Sequence, residues 1–136
     1  MSGVDVFPAP RTAVLHGGRR PVAEVQVVRD EGLAPQHYRL TIADTAITVH
    51  ARDDAGVRYA RDTLRQLTTA GTVPLASIED GPDIAVRGVM LDVSRNKVPT
   101  MATLRGLLDR MSSWRLNHLM LYIEHTYAYE GFEDVW

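Results

Sequence analysis

The side chains of this 136-residue chain that could do chemistry fall into three groups. The first is Glu124-His125, with His118 a short way upstream. Alternation along an extended segment puts His118 and Glu124 on one face, where they could share a proton or an ion. A metal needs at least three converging ligands and the spacing supplies no clear third, so no metal site is expected. The second group is Arg87, Asp92 and Arg95 within RGVMLDVSR. A guanidinium fork can grip a carboxylate or two neighbouring oxygens of a ligand. On the residues alone, Arg87 either pairs with a carboxylate such as Asp92 or offers that fork to a ligand, and Asp92 with Arg95 reads as an ion pair at a strand end. The third group is the acidic doublets Glu79-Asp80 and Glu133-Asp134. Paired carboxylates are the minimal equipment of acid–base hydrolysis. The first doublet belongs to a connector broken by Pro74, Gly81 and Pro82, and the second lies in a polar loop and reads as a solvated pair. No catalytic residue is expected within the chain.

The elements that must position these groups come in two styles. Residues 1–21 carry Pro8, Pro10, Gly17, Gly18 and Pro21 and read as an extended lead-in with at most one short strand over 12–16. Residues 23–29, 37–43 and 46–51 alternate with a period of two, as half-buried strands do, and the last two are close enough to form a hairpin. The period then lengthens: Val57, Ala60, Leu64 and Leu67 follow Asp53 and Asp54 at helical spacing, with an aspartate as N-cap and Gly71 as the residue after the C-cap. Residues 73–85 read as a connector with a short extended piece at Ile78.

Beyond it, Val89-Met90-Leu91 and residues 119–123 are continuous apolar runs, the mark of strands covered on both faces of a parallel sheet. Between them Thr100 can cap a helix striped by Leu104, Leu107, Leu108, Met111 and Trp114. Strand, helix, strand makes a βαβ unit. Its apolar strands have exposed edges, so association through Met90, Leu91, Leu119 and Leu121 is expected, with a homo-oligomer as one outcome.

Composition excludes several classes. Apolar residues make up 45% and charged residues 24%, which suits a globular chain. A net charge of −2 with scattered arginines does not suit nucleic acid or an anionic membrane. Cysteine is absent, which removes thiol chemistry and disulfides. Gly17-Gly18 lacks the phosphate-loop pattern, and no serine has a nucleophile setting. No cofactor is expected. The first residues lack a signal peptide's basic start and apolar core, so a cytoplasmic location is expected.

Three segments carry a family resemblance. GVRYARDTLRQL (56–67), VPLASIEDGPDIAVRGVMLDVSRN (73–96) and RMSSWRLNHLMLY (110–122) resemble glycoside hydrolase family 20, the β-N-acetylhexosaminidase group. They correspond there to the helix of a small α+β domain, the approach to the first barrel strand, and the first barrel helix running into the second strand. The resemblance implies an α+β chain: a small antiparallel sheet with one packed helix, followed by the truncated βαβ start of a (β/α)8 TIM barrel. The expected divisions are a lead-in over 1–21, the small domain over 22–84 and the incomplete barrel portion over 85–136.

The resemblance also implies a function. The family removes terminal N-acetylhexosamine with assistance from the substrate's own acetamido group, through an Asp-Glu pair on the fourth barrel strand. Residues matching that pair lie outside this chain, so it is expected to be an inactive N-terminal fragment of an enzyme acting on N-acetylhexosamine-containing glycans. The expected sugar-binding residues are Arg87, by its place in the motif, with Glu124 and His125 where family members carry histidine and paired aspartates. Tyr127, Tyr129, Phe132 and Trp136 either stack on sugar or pack the fold. A naturally short, non-catalytic binding or oligomerisation module is the alternative, and a small metal enzyme centred on Glu124 and His125 a third.

Overall fold

The computed structural model describes residues 4–95, 97–124 and 128–135. The chain divides into two compact units, Met1–Ala85 and Val86–Trp136.

Unit 1 is a five-stranded sheet with one helix on one face. Its strands are β1 (Thr12–Pro21), β2 (Val25–Arg29), β3 (Tyr38–Ile42), β4 (Ile47–Ala51) and β5 (Thr72–Asp80), in the order β1-β5-β3-β4-β2. β3 and β4 form the expected antiparallel hairpin, with Tyr38 opposite Ala51 and Ile42 opposite Ile47. The sheet is mixed and not purely antiparallel, because β2 runs parallel to β4. Alternation shows which residues share a face but carries no strand direction. β2 is an edge, and Val27 and Val28 are exposed.

The stretch expected to be a connector is β5, which lies between β1 and β3. Pro74 is tolerated because it falls where β5 is paired only to β1 and has outrun β3. β1 covers more than the expected 12–16: its register shifts between Leu15 and Arg19, where Gly17 and Gly18 both take φ 77, and pairing resumes to Pro21. Only glycine enters that backbone region freely, so the pair permits a bulge instead of ending the strand.

Helix α1 (Asp54–Leu67) starts as expected, with the Asp53 side chain accepting from Gly56 N at 2.8 Å. Val57, Ala60, Leu64 and Leu67 are buried against Leu40, Ile42, Ile47, Val49, Val73, Ala76 and Ile78. Gly71 is not the helix C′ residue. The helix ends at Thr68, and Ala70 (φ 49) with Gly71 (φ 73) forms the tight turn closed by Thr69 N to Thr72 O at 2.8 Å and Thr72 N to Thr69 O at 3.0 Å. Two successive positive φ values define that turn class and require the glycine there.

Unit 2 contains β6 (Gly88–Asp92), α2 (Met101–Ser113), β7 (His118–Tyr122) and a single 3₁₀ turn at Glu133–Val135. Thr100 caps α2, its hydroxyl oxygen accepting from Thr103 N at 3.2 Å. The helix closes in a Schellman arrangement, with Leu116 N to Met111 O at 2.8 Å and Arg115 N to Ser112 O at 3.0 Å. Arg115 occupies the left-handed position there at φ 59. β6 and β7 pair in parallel, Gly88 opposite His118 and Asp92 opposite Tyr122. They are not covered on both faces: Val89, Leu91 and Leu119 are half-buried, while Met90 and Met120, neighbours across the ladder, are 62% and 48% exposed. No helix among the described residues is long and apolar enough to cross a membrane.

Candidate functional site

Parallel pairing gives the β6–β7 ladder two chemically different ends. At the starting end the Arg87 backbone is held by Asn117 and His118: its N–H donates to Asn117 Oδ1 at 2.8 Å, and its carbonyl accepts from Asn117 N at 2.8 Å and His118 N at 3.1 Å. Its guanidinium donates through Nε and Nη2 to the Arg115 carbonyl, at 3.0 and 2.7 Å. Arg87 therefore ties the start of β6 to the turn that leaves α2. Gly88 next to it lies so close to β7 that a Cβ would run into the His118 backbone.

The finishing end gathers charge. The ladder continues to Val93 N on Tyr122 O at 3.0 Å. Asp92 Oδ1 accepts from Ser94 N at 2.9 Å and Ser94 Oγ at 2.7 Å, which folds the backbone back and presents Arg95. Arg95 donates from Nη2 to Glu124 Oε1 at 2.6 Å and from Nε to Glu124 Oε2 at 3.2 Å, while its Nε stands 3.5 Å from Asp92 Oδ2. Tyr122 Oη donates to Glu124 Oε1 at 3.3 Å. Strand ends of this polarity are where parallel α/β folds leave backbone and side chains free to meet ligands.

The charges act on each other. The Ser94 hydroxyl, then the Ser94 amide, hold the Asp92 carboxyl below its usual range, with burial opposing them and Arg95 adding a lesser lowering. Glu124, then Asp92, raise the Arg95 guanidinium. The Glu124 charge, followed by burial, pushes the Tyr122 phenol above its usual value. Beside this cluster lies a cleft of about 750 Å³ between β6 and α2, bordered by Leu91, Asp92, Arg95, Lys97, Leu107 and Arg110.

Two of the expected sugar-binding residues, Arg87 and Glu124, stand apart in the structure. Arg87 precedes β6 while Glu124 follows β7, so they stand at opposite ends of a five-residue ladder, about 16 Å long at the usual rise. Asp92 is engaged at the far end from Arg87, so the expected alternative of an Arg87–Asp92 pair is not what holds either residue. The expected ion pair of Asp92 with Arg95 is present, and Glu124 joins it. His118 and Glu124 lie at opposite ends of β7 and cannot share an ion. His125, Tyr127 and Trp136 lie outside the described residues, and Tyr129 and Phe132 are exposed. Ser94 and Tyr122 were not singled out from the sequence. Strand direction was the available signal: in a parallel pair, residues following the apolar run meet each other, and a residue preceding it does not.

Comparison with known proteins places the chain. The family description "Glycosyl hydrolase family 20, domain 2" matches residues 4–81, which cover β1 to β5 and α1. The chain belongs to glycosyl hydrolase family 20. Among relatives, the β-N-acetylhexosaminidase of Cellulomonas fimi is 31% identical over 112 residues, covering 79% of this chain and 22% of that protein. The N,N'-diacetylchitobiase of Vibrio harveyi is 36% identical over 89 residues, covering 63% and 10%. The chain thus spans about a fifth or less of these two relatives. A solved family 20 β-N-acetylglucosaminidase superimposes with a TM-score of 0.72 at 34% identity, covering 85% of this chain and 28% of that one. The β-N-acetylhexosaminidase of Bacteroides fragilis gives 0.78 at 22% identity, covering 85% and 32%, a likeness of fold.

Proposed function

We propose that this family 20 chain is the N-terminal portion of a β-N-acetylhexosaminidase. Unit 1 is its non-catalytic α+β domain, and unit 2 is the first strand, helix and strand of its TIM barrel. The whole enzyme removes terminal N-acetylhexosamine from glycans or glycoconjugates, its acetamido group acting as the internal nucleophile. The observation that carries the reading is the cluster of Asp92, Arg95, Tyr122 and Glu124 at the finishing ends of two parallel strands. Glu124, oriented by the Arg95 fork, faces the side on which barrels build their sites and can accept from sugar hydroxyls. His125 follows it in sequence and belongs to the same proposal. Arg87, at the opposite end, is assigned to holding the Arg115 turn in place of the sugar contact expected from its motif position.

The 136-residue chain should not turn over substrate, since it offers no adjacent Asp-Glu pair on a barrel strand. The test compares hydrolysis of a chromogenic N-acetylglucosaminide by this chain and by the full reading frame of its gene. Turnover by the chain alone, or none by the long form, counts against the proposal.

A second reading rests on Met90 and Met120, which lie side by side and exposed on β6 and β7. They suit a non-catalytic module that associates with a second copy through this apolar face. Light scattering of the purified chain separates the readings, a stable dimer lost in Met90→Lys favouring the second.

A further inference from the structure

We infer that residues 81–85 are a fixed exit built into unit 1, clamped by Arg11 and Gln36, and that the left-handed backbone of Gln36 serves this clamp. The segment lies between the last strand of the sheet and the boundary between the two units. Its composition, Gly-Pro-Asp-Ile-Ala, reads as a loose linker. The bonding is not that of a linker. Arg11 Nε donates to the Gly81 carbonyl at 2.9 Å, the Arg11 guanidinium pairs with Asp83, and Arg11 N donates to Asp80 Oδ1 at 3.2 Å. Gln36 Nε2 donates to the Ala85 carbonyl at 3.0 Å. Gly81 lies against the His37 ring so closely that a Cβ would collide with it, and Pro82 fixes its own φ.

Two separate parts of unit 1, the stretch before β1 and the loop before β3, thus hold the two ends of the segment. Gln36 also uses its backbone N–H and the other end of its side-chain amide: the N–H donates to Asp53 Oδ2 at 2.7 Å, and Oε1 accepts from Tyr59 Oη at 3.3 Å. It does so at φ 66, a conformation that glycine would adopt without strain. An unfavourable backbone kept at a residue whose N–H meets the α1 cap and whose side chain reaches Tyr59 and Ala85 points to a positioning role. Each contact is modest by itself because Asp83 and Ala85 are exposed. The fixing comes from several contacts acting on one short segment. What they fix is the point at which the chain leaves unit 1.

Thermolysin digestion of the whole 136-residue chain tests this, with cuts before Ile84 and Val86 mapped by mass spectrometry. The probes are Arg11→Ala and Gln36→Gly, the latter removing the side chain while relieving the left-handed strain. The expected result is cutting at these two bonds faster by about fivefold or more in both variants, with the thermal transition of Gln36→Gly at or above that of the parent. Cutting at the parent rate in both variants overturns the inference. So does faster cutting in Gln36→Gly that accompanies a lowered thermal transition, since Gln36 would then act on global stability. If Arg11→Ala fails to fold, Gln36→Gly alone decides.

Discussion

Arg95 and Glu124 form a two-point contact across the ends of two parallel strands, with Nη2 2.6 Å from Oε1 and Nε 3.2 Å from Oε2. A planar guanidinium makes this contact and a lysine ammonium cannot reproduce it. Arg95 is well exposed, so the pair adds little to stability. Its consequence is geometric: two side chains from separate segments are held in one orientation beside Asp92 and Tyr122.

Tyr122 reports the charge of that pair. Its phenol is raised first by the Glu124 charge, then by burial and by its hydrogen bond to Glu124. Glu124→Gln is expected to bring the Tyr122 titration down toward the ordinary value near 10. The raised value means that the fold favours the protonated phenol. That contribution is present below the unfolded value and is lost as pH rises through the folded one. NMR of ring-labelled tyrosine, assigned with Tyr122→Phe, reads the midpoint, and an unmoved midpoint in Glu124→Gln rejects the coupling.

Asp92 titrates in the opposite sense. Its lowering comes first from the Ser94 hydroxyl, so Ser94→Ala is expected to raise it toward the usual aspartate value. A lowered folded value contributes stability above the unfolded value of about 4, lost as pH falls through the folded one. Carboxyl carbon NMR from pH 2 to 6 follows it. Equal midpoints in parent and variant would show that the hydroxyl is not the cause.

The parts legible in the sequence are those whose signals are local. Val57, Ala60, Leu64 and Leu67 announce α1, Asp53 caps it, and Tyr38, Leu40 and Ile42 alternate into the core as read. β5 was not legible, because Pro74, Gly81 and Pro82 are local breakers, whereas its pairing to β1 and β3 is set by residues 34 or more positions away. Tertiary pairing outweighs propensity in such a strand. At the site, Asp92 with Arg95 was legible from spacing. Glu124 as their third member was not, because that contact exists only once β6 and β7 are set in parallel register. Arg87 was placed by its motif and not by the direction of the strand it opens.

Gly56 supplies a stability test. Alanine normally strengthens a helix relative to glycine by about 1 kcal/mol. Here an added Cβ would stand 2.5 Å from the His37 carbonyl oxygen and 3.2 Å from Ala51 Cβ. Backbone cannot swing aside as a side chain can, so Gly56→Ala is expected to destabilise by about 1–3 kcal/mol. Urea unfolding measures it, and a variant as stable as the parent would show that α1 can shift away from the loop before β3.

The buried polar contact of the core can be tested by a double-mutant cycle. Tyr38 Oη lies 2.6 Å from Thr63 Oγ1, and both residues are almost wholly buried between α1 and the sheet, with Asp80 Oδ2 3.5 Å from the same phenol. Tyr38→Phe removes one hydroxyl and leaves the other with one partner fewer in a site that water does not reach. Each of Tyr38→Phe and Thr63→Val is expected to cost about 1 kcal/mol, and the double variant less than their sum by a similar amount. The asymmetry arises because a buried hydroxyl that loses its partner bears the desolvation cost, while removing both leaves none to bear it. Strict additivity in chemical denaturation would mean that the two hydroxyls contribute independently and that α1 is held to β3 by apolar packing alone.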